Sequence, residues 1–298
     1  MMLTQASVTQ KEDANPMFFL PLFDNHATDS RPVITWLILA VCIVCFLWQL
    51  GLDPRQEQLS LYQFGFVPAL VFGIEQLPPH LIIIPSWLTI FTSMFLHGGW
   101  LHIGGNMLYL WIFSDNVENS MGPLKFVLFY LLCGVAAAFA QAAINPSSTI
   151  PMVGASGGIA GILGAYLMLH PKAAIRCFIL ILIFVRFSNL PAWLVLGVWI
   201  GGQFVAAPQA FAGDDGGVAY MAHIGGFLAG MAFIPFFKDR HISLFDRGTA
   251  PKTWSGAPIS YAELKTQARE RYHRRSGSPI RNSVPLSKKP PHQKGPWG

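Results

Sequence analysis

Between Val33 and Gly51 the chain reads VITWLILAVCIVCFLWQLG, 19 residues without a charge. As a helix, a run of that length matches a hydrocarbon core of ~30 Å, which takes ~20 apolar residues. Comparable stretches recur at 126–144, 152–169, 190–206 and 220–237. A weaker one at 101–121 has the apolar core MLYLWIF, interrupted by His102, Asn106, Asp115 and Glu118. Charged residues make up 12% of the 298, about half the ~25% of a soluble domain. The pattern predicts an all-α membrane protein with six crossings. Two further apolar segments fall short of a span. LIIIPSWLTIFTSMFL (81–96) is broken by Pro85 and is expected to lie in or on the membrane, and CFILILIFV (177–185) is too short to cross.

The charges orient this count. Lys and Arg concentrate in cytoplasmic loops close to membrane spans. Residues 238–298 hold thirteen Lys and Arg against four Asp and Glu. Lys125 marks the second-to-third connection, and Lys172, Arg176 and Arg186 the fourth-to-fifth. The loop 52–100 has only Arg55, and 145–151 and 207–219 have no basic residue. Six crossings with both termini in the cytoplasm satisfy all of these. The reading divides the chain into a polar N-terminal segment (1–31), a membrane domain (32–237) and a basic, disordered cytoplasmic tail (238–298). No cleavable signal is expected, since the first apolar run is full length, and a bacterial inner membrane fits. The tail's charge follows the orientation rule, so no nucleic-acid partner is implied. Cys42 and Cys45 form C-x-x-C inside the first span, and Cys133 and Cys177 also lie in apolar stretches. All four read as buried small hydrophobes.

Polar groups inside spans are costly and face a bundle interior or a wet cavity. Four stand out: His102 and Asn106 in the second span, Ser156 in the fourth and His223 in the sixth. In the predicted topology His102, Ser156 and His223 all begin their helices from the outer side, at similar shallow depth. Each also has a plain reading taken singly. Ser156 can be packing glue in a small-residue helix, His223 a histidine bonded to a backbone carbonyl, and His102 with Asn106 an interhelical hydrogen-bonding pair at i, i+4. Together they supply a hydroxyl, a base and oxyanion donors, the minimum for nucleophilic acyl transfer. Glycines flank both helices: Gly157, Gly161 and Gly164 on the fourth, and Gly226 and Gly230 at i, i+4 on the sixth, beside Gly225 and Ala229. Two such helices can approach backbone to backbone, as a Ser–His hydrogen bond of ~2.6–3.2 Å requires.

Other hydrolytic chemistries lack their residues. There is no H-E-x-x-H run for zinc, and HGGWLH (97–102) has no carboxylate. GDDGG (213–217) lies in an outer loop, while Asp115 and Glu118 read as interfacial or helix-end groups. No metal and no cofactor are expected.

These motifs resemble the rhomboid family of intramembrane serine proteases. HGGWLHIGGN (97–106) is similar to the family's H-x4-H-x3-N, GASG (154–157) to G-x-S-G, and AHIGGFLAG (222–230) to A-H-x2-G-x3-G. The resemblance covers about 33–237. It implies a six-helix rhomboid-like bundle whose first loop is embedded in the outer leaflet, with Ser156 as nucleophile and His223 as general base. It implies that His102, Asn106 and the Ser156 N–H hold the oxyanion, that His97 is structural, and that Gly154 belongs to the serine motif. The fifth span and the 207–219 loop would form a gate and cap. Substrates would be transmembrane helices cut near their outer end. Two departures stand out. Ala160 occupies the position, one turn after the serine, where many members carry an aromatic against the histidine ring, and the Trp-Arg pair some members have in the first loop is missing. Two other functions fit less of the pattern: a catalytically silent relative that binds and traffics membrane proteins, and a polar-lined transporter, whose halves would more often show repeat symmetry.

Overall fold

The computed structural model describes residues 17–26, 30–181, 184–208 and 218–246. Most of the expected N-terminal segment and tail, and residues 209–217 of the expected cap, lie outside the described residues.

Helix α1 (Val33–Leu50) coincides with the first apolar run. Its N-terminal N–H groups have no side-chain cap of their own and are held by Glu118, whose carboxylate accepts from the N–H groups of Ile34 and Thr35 at 2.9 Å and from Thr35 Oγ1 at 2.8 Å. Orphan donors at a helix start favour an acceptor with negative charge, so Glu118 is a helix-end group. Asp53 then opens α2 (Pro54–Phe64) through a capping box with Gln56, and α3 (Pro68–Val71) follows. Residues 79–95 break into three 3₁₀ turns and α4 (Thr89–Thr92), and this stretch meets α5 (Trp100–Met121) at 79°. The Pro85 segment therefore runs across the bundle helices. Gly122, with φ +80°, separates α5 from α6 (Pro123–Ala142), and Pro123 opens α6. Helices α7 (Ser156–Leu169), α8 (Ala192–Ala206) and α9 (Tyr220–Phe237) complete the bundle.

The all-α expectation needs correction. A small antiparallel sheet in the order β1-β2-β3 joins β1 (Met17–Asp24), β2 (Ala174–Ile181) and β3 (Phe184–Pro191). The short apolar run at 177–185 forms much of its hairpin, with Phe178 opposite Phe187 and Ile179 opposite both Arg186 and Phe19. Aromatic and β-branched residues fit a pleated surface. Lengths also differ from the predicted spans. Helices α1, α6 and α9 are long and apolar enough to cross a membrane, and a fourth span results if 79–95 and α5 count together. Helices α7 and α8 are 14 and 15 residues. Helix α7 starts four residues late because Met152 bridges Phe66 and Gly154 takes φ +125°, so the chain enters helical geometry only at Ala155.

The outer faces of the bundle are apolar. Leu124 and Phe236 are 85% and 84% exposed, and Leu37, Val44, Leu47, Trp111 and Val205 also point outward. Apolar cover on that scale suits lipid, and the protein is an integral membrane protein. Helix α7 is the opposite case, with ten of its 14 residues buried among its neighbours; a helix apolar all round belongs in a core. Its contact with α9 is backbone to backbone. A Cβ on Gly226 would overlap the carbonyl of Gly157, one on Gly230 that of Gly161, and one on Gly164 that of Phe227.

Gly226→Ala or Gly230→Ala must push α9 away from α7, so each should destabilise the protein by roughly 1–3 kcal/mol. Gly197→Ala on α8, where a Cβ meets nothing within 4 Å, should leave stability unchanged or raise it by up to ~1 kcal/mol. Thermal unfolding in detergent separates the two groups.

Candidate active site

Helices α5, α7 and α9 bring their N-terminal ends together, and each contributes a polar side chain there. His223, in the first turn of α9, places Nε2 2.9 Å from Ser156 Oγ, the first residue of α7. Both are partly buried. The other ring nitrogen, Nδ1, lies 2.7 Å from Gln203 Oε1 on α8. The Gln203 amide is oriented by its Nε2–H, which donates to the Trp199 carbonyl at 3.4 Å. With Oε1 facing the ring, Nδ1 is the donor and Nε2 carries the lone pair. That is the tautomer able to accept the Ser156 proton.

His102 and Asn106 enter from α5. Gly98 N–H donates to His102 Nδ1 at 3.3 Å, which leaves the proton of a neutral ring on Nε2. This Nε2 faces Gly154: a Cβ there would come within 2.6 Å of it and 3.5 Å from Asn106 Nδ2. The first glycine of GASG thus answers two demands, a left-handed φ of +125° and room for the His102 ring. Asn106 Nδ2 is buried and makes no protein hydrogen bond. Buried amide donors ordinarily have a partner, and this one is left open beside Gly154. The N–H of Ser156 is another orphan donor, being at the start of α7.

His97 lies behind this group. It is 1% exposed, its backbone exchanges two hydrogen bonds with the Gln49 side chain (3.0 and 3.1 Å), and its ring meets the edge of His102 at 5.3 Å between centroids. Of the predicted glycines, Gly154, Gly226 and Gly230 sit in close approaches as described. Gly157 differs in its direction: its missing side chain faces Ala137 of α6, while its carbonyl faces Gly226.

Gln203, Trp199 and Gln49 escaped the sequence reading. Trp199 sits 5.7 Å from the His223 ring and 6.2 Å from Phe227, centroid to centroid. An aromatic neighbour for His223 therefore comes from α8, and Ala160 is fully buried. A signal for Gln203 was present: it is the one amide in the apolar run 190–206, and a polar group in a span was the criterion that found the others.

Comparison with known proteins agrees with the motifs. The sequence model of the Rhomboid domain matches residues 85–240. The chain is 30% identical to the rhomboid protease GluP of Bacillus subtilis over 60% of this chain and 35% of that protein. It is 28% identical to the chloroplastic rhomboid-like protein 11 of Arabidopsis thaliana, over 50% of this chain and 52% of the relative. With the mitochondrial rhomboid protein 1 of Saccharomyces cerevisiae it shares 26% identity, over 58% and 51% of the two chains. The matched region thus spans about half or less of the length of these relatives. A domain match over more than half of the chain, on the residues that carry the three motifs, means that this protein belongs to the rhomboid family.

Proposed function

We propose that this chain is an intramembrane serine endopeptidase that cuts transmembrane-helix substrates near their outer end with a Ser156–His223 dyad. The observation that carries the reading is the 2.9 Å Oγ–Nε2 contact, with Nδ1 engaged by Gln203. His223 Nε2 takes the Ser156 proton as Oγ attacks the scissile carbonyl. The oxyanion is stabilised by His102 Nε2–H, Asn106 Nδ2–H and the Ser156 N–H. The amine leaves with the proton from His223, and water then hydrolyses the acyl-enzyme. Gln203 is a positioning residue in this scheme, holding the ring in the accepting tautomer, with Trp199 tilted beside it.

On the same reading all six helices α1 and α5–α9 cross the membrane, α7 and α8 as short crossings, within the domain 32–237. Basic residues at 125, 172, 176, 186 and beyond 237 keep both termini on the cytoplasmic side of a bacterial inner membrane. A 14-residue helix is ~21 Å long against a ~30 Å core. Anchored at its inner end, α7 holds Ser156 below the outer surface, where an unwound strand and water reach it together. The GluP name supports proteolysis in a relative, and the open donors around Ser156 support it in this chain.

Cleavage of a single-span substrate in proteoliposomes tests the reading. Ser156→Ala and His223→Ala should abolish product; cleavage by Ser156→Ala would refute it. Asn106→Ala should slow turnover by up to ~10²–10³-fold, less if His102 shares the load. Gln203→Ala should lower kcat about five- to tenfold, the worth of a ~1 kcal/mol hydrogen bond, with KM nearly unchanged. Gln203→Leu, which keeps the bulk but removes the acceptor, should be slowed as much as Gln203→Ala, whereas a purely packing role would spare it.

A further inference from the structure

At the end of α7 opposite Ser156, three ligand-type side chains converge from three separate parts of the chain. His26 follows β1, His170 caps the C-terminus of α7, and Asp246 follows α9. One ring nitrogen of each histidine and one carboxylate oxygen lie within 4.8 Å of one another. The two imidazoles are 4.2 Å apart between centroids and tilted by 35°. His170 Nδ1 is buried and makes no protein hydrogen bond.

The backbone holds each contributor in place. Asn25 N–H donates to Ala174 O at 3.0 Å beside His26, and His170 N–H donates to Tyr166 O at 2.7 Å. The segment after α9 folds back onto the end of α7, with Phe245 N–H donating to Met168 O at 2.7 Å and Asp246 N–H to Leu169 O at 2.9 Å. Phe245 adopts φ +56°, the one left-handed residue other than glycine among the described residues. An aromatic residue rarely takes that conformation. Here it turns the chain so that Asp246 faces the two histidines, and the last carbonyls of α7 gain partners in the process.

We propose that His26, His170 and Asp246 form a zinc site that ties the N-terminal segment and the post-α9 segment to the inner end of α7. Two imidazoles and one carboxylate make a donor set suited to this ion, with a fourth position for water. Zinc bonds of ~2.0–2.2 Å place tetrahedral ligand atoms ~3.3 Å apart, so the three side chains close by about 1.5 Å, a movement within the reach of side-chain torsions. The site is structural. It lies at the far end of the helix that carries Ser156, and it ties down two segments outside the bundle helices.

The full-length protein, purified without a histidine tag, is stripped with EDTA, reloaded with one equivalent of Zn²⁺ and desalted. Wild-type protein and Ser156→Ala should both retain about one zinc per chain, and their unfolding midpoints should rise with the metal. His26→Ala and Asp246→Ala should bind zinc at least about tenfold more weakly and show no zinc-dependent rise, with apo midpoints near that of the wild type. His170→Ala should do the same, and if it fails to fold the other two variants carry the test. Wild-type protein that retains no zinc overturns the proposal. So does zinc retention by His26→Ala and Asp246→Ala equal to that of the wild type, because the metal would then be held by other histidines or cysteines.

Discussion

Gly226 and Gly230 of α9 rest against the carbonyl groups of Gly157 and Gly161 on α7, with no side chain between the two backbones. That approach sets the rest of the site. It fixes the start of α9 relative to the start of α7 and so places His223 Nε2 within hydrogen-bonding distance of Ser156 Oγ. It also uses up one face of α7, and a neighbouring face is filled by Cys133, Tyr130 and Ala137 of α6 against Gly161, Gly158 and Gly157. Small residues allow this because helices in lipid gain little from hydrophobic association and depend on close van der Waals packing.

Helix α8 contributes in a different way. Its outer face is exposed at Val198, Phe204 and Val205, while its inner face delivers Gln203 and Trp199 to His223. Under the proposed dyad, a histidine without a carboxylate partner needs its tautomer set, because the ring nitrogen facing the serine must be free to accept its proton. A neutral amide serves that purpose without burying a charge, which would be costly at this depth. It also couples His223 to a helix with an exposed apolar side, so movement of α8 would alter the orientation of the His223 ring.

The motif residues were legible because each is an exception to its surroundings: a hydroxyl among glycines, imidazoles in apolar runs, and glycines at helical spacing. Gly154 was legible as part of GASG, although its reasons, a left-handed φ and the His102 ring, required three dimensions. The hairpin was lost because CFILILIFV has no alternation to mark it as strand, and its pairing partners at 17–24 and 184–191 lie in segments read as polar loop or helix entry. The late start of α7 was hidden for a similar reason. Met152 and Val153 continue the apolar pattern, but backbone pairing of Met152 with Phe66 takes Met152 out of the helix. Gln203 escaped because one amide among the fifteen residues of α8 carries no motif of its own.

The proposed function requires that His223 activate Ser156. A fluorophosphonate probe reads that directly, since it labels serines whose hydroxyl is polarised by a base. Folded wild-type protein in detergent is predicted to become labelled, and Ser156→Ala and His223→Ala to remain unlabelled with unfolding midpoints near that of the wild type. Labelling that persists in Ser156→Ala, or a folded wild-type protein that takes up no probe, would contradict that activation.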